Sequence, residues 1–373
     1  MILIILIAIL VLAIAYFQVA QGLFSAFIMT FLSVLTALVA VSYYEQLAQY
    51  VMTTLDSRNA AIVEPASLIA LFVVPLLALR FAFDKFLPSN MVFGQWGDRI
   101  GGGVLGLVTG IICAGVLTLA LQMLPYGRSI LGYMPYDNNM ARKHTFAPFY
   151  PDDFVLGMVQ KFSTGSLAGK QPFGATHGNV PLQLFAQRYA GYLNGAVIDK
   201  AGAMTLKGVY KVPAKSSDAW VKELTETAHV LPEGVDTDIY VVRASVNNDL
   251  KDKDGWLRVP IVNFRMTTRV NGELRDYCPL AYLTYKTDDG KAPSWQAMIQ
   301  WPETGSEVPN ILNTTIQRQP KGQLIVDLVY ALPQDEQPST VAFRRLTKVA
   351  VKEVGEWDGS DMQADALERK SGK

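Results

Sequence analysis

The sequence predicts two structural classes in one chain: a four-helix transmembrane bundle, then a partly helical connector and a small antiparallel β-sandwich. Three observations predict this. Only nine of the 66 Lys, Arg, Asp and Glu residues fall within residues 1–127. That stretch contains four apolar runs of about the length a bilayer crossing needs. From residue 237 onward the apolar pattern changes to period two, with turn residues between short runs. A single soluble globule is excluded, because the 18% charged content is low and unevenly placed. A polybasic nucleic-acid binder is excluded too, because 33 basic residues face 33 acidic ones.

No charged residue occurs before Glu45. Forty-four helical residues would reach about 66 Å, twice the ~30 Å hydrocarbon core, so the run has to turn. The turn falls at residues 18–22, where polar and small residues interrupt it, giving spans over 2–17 and 23–43. Tyr16, Phe17, Tyr43 and Tyr44 stand at span ends, where amphipathic rings favour the headgroup region. A cleaved signal peptide competes for the first twenty residues, since Ala13-Ile14-Ala15 resembles a cleavage site. Against it, no Lys or Arg precedes the apolar run and a second long apolar run follows at once. Residues 45–56 keep apolar side chains at Leu47, Tyr50, Val51 and Leu55, which suits either a short helix on the membrane surface or a plain loop.

The third span covers 66–83 and holds Pro75, which bends a helix but is tolerated inside a membrane bundle. Arg80 and Asp84 close it at a spacing that lets them pair across one turn. The fourth span covers 100–124 and stops at Pro125-Tyr126-Gly127. Its opening carries the most specific pattern in the chain. Gly102, Gly106 and Gly110 recur every four residues, so three successive turns lack side chains on nearly one face and a neighbouring helix can approach closely. Asp98, just ahead, is placed to cap free backbone N–H groups, and Arg99 to reach lipid phosphates. Helix packing is the reading favoured here; a conduit or binding groove is the rival.

These residues resemble the colicin V production protein family of bacterial inner-membrane proteins over about residues 1–125. The likeness rests on Gln21-Gly22-Leu23 opening the second span, Ser42-Tyr43-Tyr44 closing it, and Asp98-Arg99 followed by Gly102, Gly106 and Gly110. The family usually has a basic residue before the first glycine and often one before the last, where this chain has Gln21 and Thr109. The resemblance implies a multi-pass domain of the bacterial inner (cytoplasmic) membrane linked to toxin export or production, envelope homeostasis or biofilm phenotypes. It implies no settled molecular activity.

Residues 128–235 read as a connector with helical pieces. Asp152-Asp153 cap a stripe of Phe154, Met158 and Phe162; Leu184, Phe185, Tyr189 and Leu193 form a second stripe and Trp220, Val221 and Leu224 a third. Residues 236–354 read as the β domain. Residues 240–246 alternate as a half-buried strand, 256–270 continues extended, and Asn271-Gly272 turns the chain into 273–283 as a hairpin. Further strands are expected at 295–301, 310–317, 324–331 and 340–352. The segments 240–248, 329–333 and 340–343 look like the immunoglobulin-like sandwiches attached to bacterial envelope proteins. Residues 355–373 are polar and expected to be disordered.

Catalytic, cofactor and metal motifs are not found. No Gly-Asp/Asn-Ser-Gly-Gly run exists, and Ser166 lacks the flanking glycines of a nucleophile elbow. His144, His177 and His229 read as surface or capping residues. Cys113 and Cys278 form no ligand pair, and residues 249–254 have acidic spacing without the register of a calcium loop. Trp220, Trp256, Trp295, Trp301 and Trp357 read as packing residues rather than a binding surface.

Four spans put both chain ends on one side, and the tight grouping of Arg80, Lys85 and Arg99 favours the opposite side as cytoplasmic. The expectation is therefore a non-enzymatic inner-membrane protein with an extracytoplasmic β domain. Its partners would be the lipid bilayer, an envelope protein met through that domain, and further copies of itself, with no nucleic acid. A small transporter or export component is the alternative, and a membrane-anchored hydrolase a third.

Overall fold

The computed structural model describes residues 2–54, 60–86, 94–124, 127, 129–136, 150–164, 173, 177, 179–194, 203–226, 236–247, 255–271, 273–286, 294–298, 311, 314–318, 324–344, 347–359 and 368–369. Residues 1–135 with 143–188 form one compact unit, and 136–142 with 189–373 a second.

The first unit is helical. α1 (Ile2–Gln21), α2 (Leu23–Thr54), α3 (Ala60–Phe86) and α4 (Gln95–Gln122) are each long and apolar enough to cross a membrane. Their outer faces stay apolar: Ile5, Leu12, Phe27, Phe31, Leu77 and Val104 are all exposed, as lipid-facing positions should be. Helix ends run past the apolar windows. α2 continues unbroken to Thr54, so its last turns extend the second span rather than lie flat on the surface or loop. Tyr44 and Ala48 explain this, because both are buried and hold those turns against the rest of the unit. α4 starts at Gln95, five residues before the apolar run at Ile100.

The helices alternate in direction. Along α4, Gly102, Gly106 and Gly110 meet Gln18, Ala15 and Val11 in turn, so α1 runs antiparallel to it. α2 runs parallel to α4, with Leu23 beside Asp98 and Thr30 beside Leu105. The core joins Leu32, Val41 and Tyr44 of α2, Leu68 and Phe72 of α3, and Ile112, Val116 and Leu119 of α4. It also includes Val155, Leu156 and Val159 of α5 (Pro151–Thr164), and Val180 and Leu184 of α6 (Val180–Asn194). The first two helices of the expected connector therefore pack into the membrane bundle's own core.

The described residues of the second unit are mostly sheet. Its elements are β1 (Met204–Lys211), α7 (Ala219–Glu226), β2 (Thr237–Val246), β3 (Leu257–Pro260), β4 (Phe264–Val270), β5 (Glu273–Tyr277), β6 (Ala281–Lys286) and β7 (Ser294–Met298). β8 (Thr315–Arg318), β9 (Leu324–Pro333), β10 (Pro338–Phe343), β11 (Thr347–Ala350), β12 (Gly355–Glu356) and β13 (Glu368–Arg369) complete it. A seven-stranded sheet runs β12-β1-β2-β9-β6-β13 with β7 also on β6; a four-stranded sheet runs β11-β10-β4-β5; β3 pairs β8. The long ladders are antiparallel, as expected, while β12 and β13 add in parallel to β1 and β6. The Asn271 hairpin forms between β4 and β5, with Asn271 at φ 50.

Three expectations change here. β2 is buried at every residue from Ile239 to Val246 rather than on one face, because α7 covers one side of its sheet and the other side is enclosed as well. β1 lies in the stretch read as helical connector. The tail is ordered at its start: β12 pairs with β1, and Trp357 is 5% exposed, edge-on to Trp220 at 6.2 Å with its Nε1 donating to Asp218 at 3.1 Å. A single large aromatic in a polar tail can find a core that composition does not reveal. Beneath it the facing residues Arg243 (β2) and Asp327 (β9) form a buried ion pair at 2.7 Å. The Arg243 guanidinium is flanked by the rings of Tyr210 and Trp357 at 5.7 and 5.8 Å.

Candidate functional site

All six residues singled out in the sequence lie at or near the α1–α2–α4 junction. Gly22 occupies the single-residue turn between α1 and α2 at φ +86, a conformation that a side chain would strain. Its N–H donates to Gln18 O at 3.1 Å, and its carbonyl accepts Ala26 N–H at 3.1 Å, so the chain reverses with its backbone groups satisfied. A Cβ on Gly22 would sit 3.7 Å from Asp98 Cγ.

Asp98 corrects its expected role. It lies in the first turn of α4 instead of ahead of it, with its N–H on Gly94 O at 2.9 Å, and α4's own N-cap, Gly94, provides no side-chain cap. Its carboxylate instead accepts the Leu23 N–H at 3.4 Å, at the start of α2. A carboxylate there meets the positive end of α2 and α4 together. Arg99, next in sequence, is exposed, as an interfacial anchor would be.

The glycine stripe faces α1 at backbone distance. A Cβ added at Gly102 would lie 2.8 Å from Gln18 O; at Gly106, 2.8 Å from both Ala15 Cα and Gln18 Cβ; at Gly110, 3.0 Å from Val11 Cα. Only glycine lets the two backbones come this close. Beside the stripe, the Thr30 hydroxyl bonds Thr109 Oγ1 at 2.9 Å and donates to Leu105 O at 3.1 Å, tying α2 to α4. On α3, Arg80 pairs with Asp84 at 3.1 Å as the spacing indicated, and also donates to Ser25 Oγ of α2 at 2.9 Å.

Several contacts were missed in the sequence. Gly115 falls outside the four-residue register, and a Cβ there would overlap the Pro151 carbonyl and the Val155 side chain, so it seats α5. Asp152, read as a cap, turns into the protein: its Oδ2 accepts Gln122 Nε2 at 2.8 Å and the Tyr133 hydroxyl at 3.2 Å. His177 is buried rather than superficial, 3.4 Å from Glu45 Oε2, 3.1 Å from Gln183 Oε1 and stacked on Phe173 at 4.5 Å. Arg188 of α6 is buried with Nε donating to Gly127 O at 2.7 Å, and burial pushes its guanidinium down to about 10. A polar residue within an amphipathic stripe was the available signal for Asp152 and Arg188. His144, His229 and residues 249–254 lie outside the described residues.

In the second unit a groove of about 800 Å³ opens beside β12, with Lys211, Tyr240, Pro338, Lys352, Glu353 and Glu356 among its lining residues. Cys278 is a free thiol that burial pushes up to about 12.

Apolar spanning helices sealed by a glycine face, with a mixed sheet domain following in the chain, define a multi-span membrane protein with an appended β domain. Residues 2–150, which hold the four spanning helices, match the family model described as Colicin V production protein. No curated protein and no solved structure matches the chain.

Proposed function

We propose that the protein is a non-enzymatic scaffold of the bacterial inner membrane, serving envelope homeostasis or toxin export and production. In this reading the glycine face of α4 locks the helices together while the β domain, outside the cytoplasm, engages another envelope protein. The observation that carries it is the closeness of α1 to the stripe: backbone atoms stand where side chains at Gly102 and Gly106 would be, so the stripe is used for contact and not as a lane. The groove beside β12, with lysines and glutamates among its lining residues, supports a protein partner for the β domain. The non-enzymatic part rests on the lack of nucleophile and metal-ligand motifs in the sequence.

The test combines topology fusions after Arg128 and Lys373 with a photo-crosslinker at Lys352. The expected result is an extracytoplasmic reporter signal at both fusions and a discrete adduct with one envelope protein. Solute flux through proteoliposomes of the purified chain would favour an export path instead, and labelling of a serine by an activity probe would favour a hydrolase.

A further inference from the structure

The end of α4 remote from Asp98 holds a polar pair that the scaffold reading does not use. Gln122 and Asp152 are each wholly buried. Gln122 Nε2 donates to Asp152 Oδ2 at 2.8 Å, and the Tyr133 hydroxyl donates to the same oxygen at 3.2 Å. The second oxygen of each side chain, Asp152 Oδ1 and Gln122 Oε1, is enclosed and has no hydrogen-bond partner. Both atoms are acceptors, so neither can satisfy the other; a donor such as water, or a cation, has to lie between them. An enclosed carboxylate with only neutral donors on one oxygen is costly, and an orphaned amide oxygen beside it adds to that cost.

Among the described residues, none supplies the missing charge directly. Among the described residues no Lys, Arg or His forms an ion pair with Asp152. The ionisable groups on the elements packed around it are few. Tyr133 already donates to Oδ2. Arg188 on α6 is held by its Nε at Gly127 O. On α2, Tyr44 donates to Glu45, which His177 also engages. Asp153, the neighbour on α5, is only half-buried and adds charge of the wrong sign. The positive end of α5 favours a carboxylate in its first turn, but it provides no donor to Oδ1.

One monovalent cation resolves both orphans at once. A proton taken from water onto Oδ1 makes a carboxylic acid, which pairs with a primary amide in a ring: Gln122 N–H to Oδ2, and Oδ1–H to Gln122 Oε1. A sodium ion would use the same two oxygens as hard ligands. We propose that Asp152 and Gln122 form a binding site for a single positive charge, a proton or a sodium ion, at the α5 end of the membrane bundle.

The test uses the full-length chain in lipid nanodiscs, with aspartate carboxyl carbons isotopically labelled, compared with Asp152→Asn. The variant's amide presents an N–H where the acid presents O–H, so it is expected to fold. In the proton case the wild type shows a carboxylic-acid carbonyl band in the infrared at neutral pH, lost in the variant. In the sodium case the wild-type melting temperature rises saturably when sodium replaces choline at constant ionic strength, and this rise is lost in the variant. A wild type with neither signal, or an acid band or sodium response that persists in Asp152→Asn, overturns the proposal. Should that variant not accumulate, Gln122→Met replaces it: the acid band is expected to move to higher frequency as its amide hydrogen bonds are lost, or the sodium response to vanish, and an unmoved band or a retained response overturns the site. Neither readout depends on a partner for the β domain, so this site and the scaffold reading fail separately.

Discussion

Lengthening the side chain at position 106 tests the helix contact most directly. A Cβ there meets Ala15 Cα and Gln18 Cβ at 2.8 Å and Ala15 O at 3.1 Å, where ordinary contact begins at 3.4 Å. α1 and α4 must therefore part by at least about 0.6 Å, and a gap of that size forfeits roughly a quarter of each dispersion contact along the seam. Overpacking of this kind costs about 1–3 kcal/mol. Gly106→Ala also gains up to about 1 kcal/mol of helix propensity, so its net loss is about 0–2 kcal/mol. Gly106→Leu carries the clash to the upper end, about 3 kcal/mol, or roughly a hundredfold in the folded fraction. Gly157→Ala is the control, because nothing lies within 4 Å of its added Cβ and only the propensity gain remains. The assay is unfolding in mixed micelles followed by circular dichroism, together with membrane accumulation in cells. Gly106→Leu with a wild-type midpoint and normal accumulation would refute the contact.

Three further outcomes are expected in the β domain. Asp327→Asn strands the buried Arg243 and should cost about 3–5 kcal/mol in denaturant unfolding, while Arg243→Met with Asp327→Leu should recover most of that loss. Trp357→Ala should cost about 3–5 kcal/mol, and a tail that contributes nothing would leave the midpoint unchanged. The Cys278 thiol ordinarily ionises near 9 and is pushed up to about 12 by burial, so the unfolded chain releases a proton that the native one keeps. Stability from this group is intact below pH 9 and declines as pH rises from 9 toward 12, a slope that Cys278→Ala should remove.

The membrane half was legible because lipid constrains composition: no charge before Glu45, and glycines at 102, 106 and 110 whose spacing is itself a packing statement. The direction of Asp98 was not legible. Its partner is the start of α2, 75 residues earlier, and no local pattern distinguishes capping one's own helix from capping another. The burial of α5 was hidden for a similar reason. Val155, Leu156 and Val159 have the period of any amphipathic helix, and the notch that receives them is a glycine on α4. In the β domain the Asn271 turn was readable from two residues, whereas the covering of Ile239 and Val241 on β2 brings in Trp357, which is far from them in sequence.

The bond from Leu23 to Asp98 has a consequence for biogenesis. At ribosomal speeds of roughly 5–20 residues per second, the 75 residues between them take about 4–15 s to emerge. For that interval the nascent amino-terminal hairpin has no mate for Gln18 or Ala15, and its tight reversal at Gly22 must survive in the insertion machinery or in bare lipid. The late-arriving glycine helix is what closes the structure, so proteolytic loss of newly made chains should be concentrated in the time before it is threaded.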